Sequence, residues 1–184
     1  MTPHGPWQII ASHEVYRDPW IRLRKDDVIR PDGRPGTHCV LHLKPGVSVL
    51  PLDADGTVCL TQEFHYGVGR ETLEVVSGGI EPGEDPLLCA QRELVEELGI
   101  TATDWTPLGS VDPFTSVVVS PTQLFLARGL TWGATAPEGT ERIRPVKLPL
   151  ETAVDLVWES RITHAPSCVL ILKAALFLGR RHGD

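Results

Sequence analysis

Residues 78–100 read GGIEPGEDPLLCAQRELVEELGI, and the fold turns on this stretch. Asp85 is a helix-capping residue, Pro86 suits the first helical position and Gly99 suits the residue past the last turn, so the spacing predicts a helix over residues 86–98. At ~100° per residue, Leu87, Ala90, Leu94 and Leu98 share one narrow stripe, while Glu93, Glu96 and Glu97 fall on the adjoining flank. Acidic neighbours at these spacings each cost an isolated helix about 0.2–0.5 kcal/mol, and near the C-terminal end they also oppose the helix dipole. Stability alone would not choose this arrangement.

A solvated acidic face and a cation site are both compatible with those glutamates. Glu84 and Arg92 flank the start and middle of the same helix, and Gly78 and Gly79 let the preceding backbone come close and offer a carbonyl or amide to a ligand. A hard divalent cation such as Mg2+ takes oxygen ligands, and usually combines one or two carboxylates with water and substrate phosphates.

Upstream, apolar alternation at Trp7, Ile9 and Ala11, at Ile21 and Leu23, and at Cys39, Leu41 and Leu43 predicts three short antiparallel strands, with a turn at Pro31-Asp32-Gly33. Three strands alone are a marginal unit, so residues 1–45 are expected to need covering by another subunit. From Val47 the pattern gives strands at 47–52, 57–64 and 72–76, the last ended by Gly78 and Gly79. Downstream, strands are expected at 105–111, at 122–130 and near Val146, a polar loop at 133–145, and helices at 150–158 and 166–178. The class is therefore α+β (mixed α/β), with an N-terminal antiparallel sheet at 1–45 and a larger domain at 46–184.

Composition bounds the function. The chain has 184 residues, 41% apolar and 22% charged, in the range of ordinary globular proteins. Seventeen basic residues against twenty-four acidic ones leave a formal charge of −7, which excludes the electrostatic footprint of a nucleic-acid binder. The longest apolar run, 169–179, contains Lys173 and falls well short of the ~20 residues of a bilayer span. Residues 1–10 have no signal-peptide plan, so a cytoplasmic protein with no membrane contact is expected. Cys39, Cys59, Cys89 and Cys168 show no CxxC spacing and are read as buried thiols; Trp7, Trp20 and Trp105 are read as core packing.

The pattern Gly78-x5-Glu84-x7-Arg92-Glu93-Leu94-Val95-Glu96-Glu97-Leu98-Gly99-Ile100 carries every fixed position of the Nudix box, G-x5-E-x7-R-E-U-x-E-E-x-G-U with U apolar. The chain thus resembles the Nudix hydrolases, which cleave nucleoside diphosphates linked to another group with Mg2+ or Mn2+. That resemblance implies an α/β/α sandwich around a mixed sheet. It is strongest to the ADP-ribose pyrophosphatase branch, through Leu73-Glu74-Val75-Val76-Ser77-Gly78-Gly79-Ile80-Glu81 and the close Ile162-Thr163-His164-Ala165-Pro166-Ser167. That branch carries an N-terminal antiparallel sheet and forms a domain-swapped homodimer.

By resemblance, Glu93 and Glu97 are the leading metal ligands, the Ser77 carbonyl a third, and Glu96 a further ligand or an acid just behind them. Arg92 would orient these carboxylates, with Glu84 beside it. A general base would come from Glu138 or Glu141 in the polar loop, with Glu141 favoured. His65, Arg70, Gly78 and Gly79 are the candidate substrate contacts. Members of the branch often carry an Arg where this chain has Phe64-His65-Tyr66, and a Ser-Pro-Gly turn where it has Asp112-Pro113-Phe114-Thr115-Ser116. The expected substrate is ADP-ribose or a related nucleoside diphosphate sugar, with GDP-mannose and UDP-glucose open. The alternatives are hydrolysis of a nucleoside triphosphate or dinucleoside polyphosphate, and a Nudix module that binds nucleotide without turnover.

Overall fold

Apolar runs too hydrophobic to alternate with polar residues form the centre of the molecule, as seen in a computed structural model that describes residues 1–134 and 142–181. The chain folds into two compact units, Met1–Pro45 with Asp112–Pro121, and Gly46–Val111 with Thr122–Asp184.

In the first unit, β1 (Thr2–His4), β2 (Trp7–Arg17), β3 (Ile21–Ile29) and β4 (Pro35–Leu43) form an antiparallel meander. Residues 18–20 turn the chain, and the Asp18 carboxylate accepts from the backbone N–H groups of Trp20 and Ile21. A later two-residue strand, Val118–Val119, adds in parallel beside β4. No local pattern could have placed it there, because its partner is more than seventy residues away in sequence.

The second unit begins with β5 (Gly46–Pro51), β6 (Thr57–His65), β7 (Arg70–Glu74) and β8 (Val76–Gly79), followed by α1 (Pro86–Leu98) and β9 (Ile100–Val111). After β10, the Val118–Val119 strand of the first unit, come β11 (Thr122–Trp132), β12 (Arg144–Pro149), α2 (Leu150–Trp158) and α3 (Ala165–Arg181). One sheet runs β8-β5-β11-β9, with β5 and β11 parallel; the other runs β12-β6-β7. Strands β5 and β11 are covered on both faces, as parallel pairs usually are. On one face Val47, Val49, Phe125 and Ala127 pack with Ala90, Leu94 and Leu98 of α1. On the other, Leu50, Leu124 and Leu126 pack with Ala153 and Leu156 of α2 and Leu170, Ile171 and Ala174 of α3. The result is a mixed α+β sandwich with helices on both faces of its central sheet.

Several local expectations change. The strand expected over 72–76 is two strands: β7 ends at Glu74 in one sheet, and β8 starts at Val76 in the other. Gly78 and Gly79 therefore lie within β8, paired with β5, and do not end a strand. Cys59 and Cys89 are buried, but Cys39 is exposed and Cys168 is half-buried, since β4 presents Cys39 on an uncovered face. Trp20 is 70% exposed in the turn before β3, where no core lies beneath it. Trp7 is half-buried with its ring beside His38, and Trp105 lies edge-on to Phe125. Among the described residues, no helix is long and apolar enough to cross a membrane.

Candidate active site

Helix α1 starts and stops where its sequence dictates. The Asp85 carboxylate accepts from the N–H groups of Leu87 and Leu88, Pro86 occupies the first turn, and Gly99 closes the helix at φ 64° and ψ 26°. At Gly99 a side chain would also collide, because an added Cβ would sit 2.7 Å from the backbone of Gly133 and Ala134. Burying Ala90, Leu94 and Leu98 against the sheet fixes the rotation of the helix and leaves the glutamate flank beside β8.

Arg92 is the hub of that flank. Its guanidinium grips Glu84 with two bonds, Nε to Oε1 at 3.0 Å and Nη2 to Oε2 at 3.2 Å. The same group donates to Glu93 at 2.7 Å, Glu96 at 2.9 Å and the Gly79 carbonyl at 3.2 Å. One cation thus holds three carboxylates, and bidentate geometry of this kind is stronger than an ordinary surface pair. The Arg92 bond, assisted by the Glu81 N–H, lowers the Glu84 carboxyl to about 2. Those carboxylates raise the Arg92 guanidinium further above its already high ordinary value. Cys89, in the same helix, is pushed up to about 12, first by burial and then by the Glu84 charge, so it is an inert thiol.

Strand β8 closes the other side. Ser77 N–H donates to Glu97 Oε1 at 3.4 Å, and the Ser77 hydroxyl lies 2.9 Å from that of Ser48. Gly78 has no alternative: an added Cβ would sit 1.9 Å from the carboxyl carbon of Glu93. The first glycine of the motif therefore makes room for a glutamate supplied fifteen residues later.

Ser77, Gly78, Gly79, Glu84, Arg92, Glu93, Glu96 and Glu97 accordingly come together at the junction of β8 and α1. His65 and Arg70 take other partners. His65 Nε2 lies 3.3 Å from Glu74 Oε1, and Arg70 donates to the Thr163 hydroxyl at 2.8 Å. Glu138 and Glu141 lie outside the described residues. Sequence reasoning missed Glu74, whose half-buried carboxylate meets His65, Thr72 and His164; nothing in a local pattern reveals a partner ninety residues away.

The donor chemistry fits a hard divalent cation. Glu93, Glu96 and Glu97 offer oxygen on one helix flank, with Glu93 against Gly78 and Glu97 against the Ser77 N–H. As they stand, no three Asp, Glu, His or Cys side chains among the described residues converge on one point, since Arg92 draws Glu93 and Glu96 to itself.

Comparison with known proteins bears on the whole chain. Residues 42–165 match the NUDIX domain, and residues 7–41 match the nucleoside diphosphate sugar hydrolase N-terminal domain. A methanol dehydrogenase activator from Bacillus methanolicus is 23% identical over 167 residues, covering 88% of this chain and 89% of that protein. An ADP-ribose pyrophosphatase from Bacillus subtilis (strain 168) is 27% identical over 173 residues, covering 91% and 94%. The crystal structure of an ADP compounds hydrolase superposes with a TM-score of 0.83 at 22% identity over 95% of both chains, a likeness of fold. With the box assembled around Arg92 and the domain match spanning most of its length, the chain belongs to the NUDIX family.

Proposed function

We propose that this protein hydrolyses the diphosphate bond of ADP-ribose or a related nucleoside diphosphate sugar, giving a nucleoside monophosphate and a sugar phosphate. The observation that carries the reading is the complete carboxylate cluster, Glu84, Glu93 and Glu96 on Arg92 with Glu97 on Ser77, folded at the edge of β8. The ADP-ribose pyrophosphatase likeness over nearly the full chain supports the substrate class.

Glu93, Glu96, Glu97 and the Ser77 carbonyl would hold Mg2+, or Mn2+ in its place. When bound, the cation supplies the positive charge an acidic chain needs to hold a diphosphate and to activate water. The rest falls to the chain's own groups. Arg92 holds Glu93 and Glu96 in place through charge-assisted bonds, and Glu84 in turn fixes Arg92. Gly78, Gly79, His65 and Arg70 would be the further substrate contacts. Glu141, or Glu138, would take the proton from the attacking water.

We further propose a homodimer built on the N-terminal sheet, and a cytoplasmic location. Arg24 Nε, Asp26 Oδ1 and His42 Nε2 are buried without a hydrogen-bond partner among the described residues, and they line a cleft of about 800 Å³ in the first unit. A partner surface would fill that cleft and cover the exposed Ile10, Val15 and Tyr16. The four cysteines, all free, suit a reducing compartment.

The test is direct. Incubation with ADP-ribose, nucleotide sugars, triphosphates and dinucleoside polyphosphates in Mg2+, with products separated by chromatography, should give AMP and ribose 5-phosphate from ADP-ribose, or the matching pair from another sugar. Turnover confined to triphosphates, or binding with no turnover, would overturn the proposal.

A further inference from the structure

Between β7 and β8 the chain leaves one sheet and enters another, and at that step Val75 N–H has no ladder position of its own. It donates to the hydroxyl of Ser167, a fully buried residue of α3, at 3.0 Å. His164 Nδ1 lies 2.8 Å from that hydroxyl and 3.0 Å from Glu74 Oε2. The other Glu74 oxygen accepts from Thr72 Oγ1 at 2.6 Å and faces His65 Nε2 at 3.3 Å, while its backbone carbonyl accepts from Thr61 Oγ1. Arg70, at the start of β7, reaches the same pre-helical segment through Thr163. Side chains from β6, β7 and the segment before α3 thus meet on one carboxylate whose side chain is 14% exposed. Three residues beyond it stands Ser77.

We infer that Glu74 is a positioning residue for the box: through His164 and Ser167 it fastens the segment entering α3 to the β7–β8 crossover, and so sets the backbone of Ser77 and Gly78 against Glu93 and Glu97. The inference rests on the reading of those residues as a cation site. Its physical basis is rigidity. A strand that changes sheets has lost its ladder for one residue, so the placement of the next few residues depends on the groups that tie that one down. Here the tie is a side-chain network anchored on the fully buried Ser167 and the largely buried Glu74 carboxylate, and a network that pairs its members restricts them to few geometries. Burial alone would push the Glu74 carboxyl up; its bonds to His164 and Thr72 and the facing His65 more than reverse this and hold it below its ordinary value. The Glu74 charge also reaches the Cys168 thiol, which burial already raises. His164 Nδ1 stands between the Glu74 carboxylate and the Ser167 hydroxyl, and so links the strand crossover to the helix entry.

The experiment compares wild type with Glu74→Gln, His164→Ala and His164→Asn, the last placing a neutral amide donor near the position of Nδ1. Mn2+ binding is read by electron paramagnetic resonance, backbone exchange at Val75 to Gly78 by deuterium uptake in the metal-free protein, and kcat and KM with ADP-ribose across pH 5–9. Removing a supporting partner of this kind weakens metal binding by about 10- to 100-fold. Glu74→Gln and His164→Ala should do so, with faster exchange at Val75 and a fall in kcat at nearly constant KM. His164→Asn should restore Mn2+ affinity and slow exchange at Val75 back toward the wild-type rate. Folded variants that bind Mn2+ like wild type and exchange no faster would overturn this inference alone. Should Glu74→Gln fail to fold, the His164 pair decides: equal Mn2+ affinity in Ala and Asn forms also overturns it. A wild-type chain that binds no Mn2+ removes the cation site and this inference together.

Discussion

The unit formed by Gly46–Val111 and Thr122–Asp184 buries two clusters of side chains, whereas Met1–Pro45 with Asp112–Pro121 buries only Asp26 and Val28. Both are rich in strands. In the larger unit, helices cover both faces of a sheet, and burial of Leu50, Leu94 or Leu124 is worth about 1.5–3 kcal/mol for each side chain. In the smaller one, ladder hydrogen bonds form while Ile10, Val15, Tyr16 and Trp20 stay exposed. Hydrogen bonds exchanged with water contribute little net stability, so a sheet without a covered face is marginal by itself. The contrast separates a region that folds around its own core from one that buries little of its own side-chain surface.

The contrast is most sharply broken by cavity formation. Leu124→Ala should cost about 2–5 kcal/mol in urea unfolding, because Leu124 is wholly buried where β11 packs on α3. Ile10→Ser should change the unfolding free energy of the isolated protomer by only about 0.5 kcal/mol, yet shift sedimentation at micromolar concentration toward monomer. A large protomer loss for Ile10→Ser would mean the N-terminal sheet holds its own core.

Chemistry should likewise reside in the larger unit. Glu97→Gln should reduce turnover of ADP-ribose by about a hundredfold or more while leaving the circular dichroism melt close to wild type. Wild-type rates would remove Glu97 from the cation site. A smaller effect is expected at the helix start, where Asp85→Ala should cost about 1 kcal/mol of stability by leaving the Leu87 and Leu88 N–H groups unpaired, again read by urea unfolding.

The smallest effect is a pH dependence. Glu84 is depressed from its ordinary 4.5 to about 2, so its contribution is fully present above pH 4.5 and is lost as pH falls toward 2. Glu74 is depressed in the same direction. The stability gap between wild type and Glu84→Gln should therefore be constant from pH 7 to 5 and shrink between pH 4.5 and 2.5. A gap that widened on acidification would reverse the assigned sign.

Much of the site was legible because it is local. Asp85, Pro86 and Gly99 mark the two ends of α1 with their own backbone chemistry, and the 3.6-residue period of Leu94 and Leu98 fixes which flank carries the glutamates. The helix at Leu150–Trp158 was equally plain from its apolar period. The features that escaped depended on distant chain. Trp20 and Cys39 looked like core residues by type, yet no element covers them. The run through Val75 looked like one strand because both halves are apolar, although the chain changes sheets there.

The sequence by itself determined the capped acidic helix, the apolar strands around it and the chemical class of the site, because capping, helical period and side-chain type act within a few residues. Only the tertiary structure decided that Gly78 must lack a side chain to admit Glu93, that β10 joins the N-terminal sheet, and that Glu74 meets His65 and His164. Those contacts join residues far apart along the chain, and packing alone determines which of them meet.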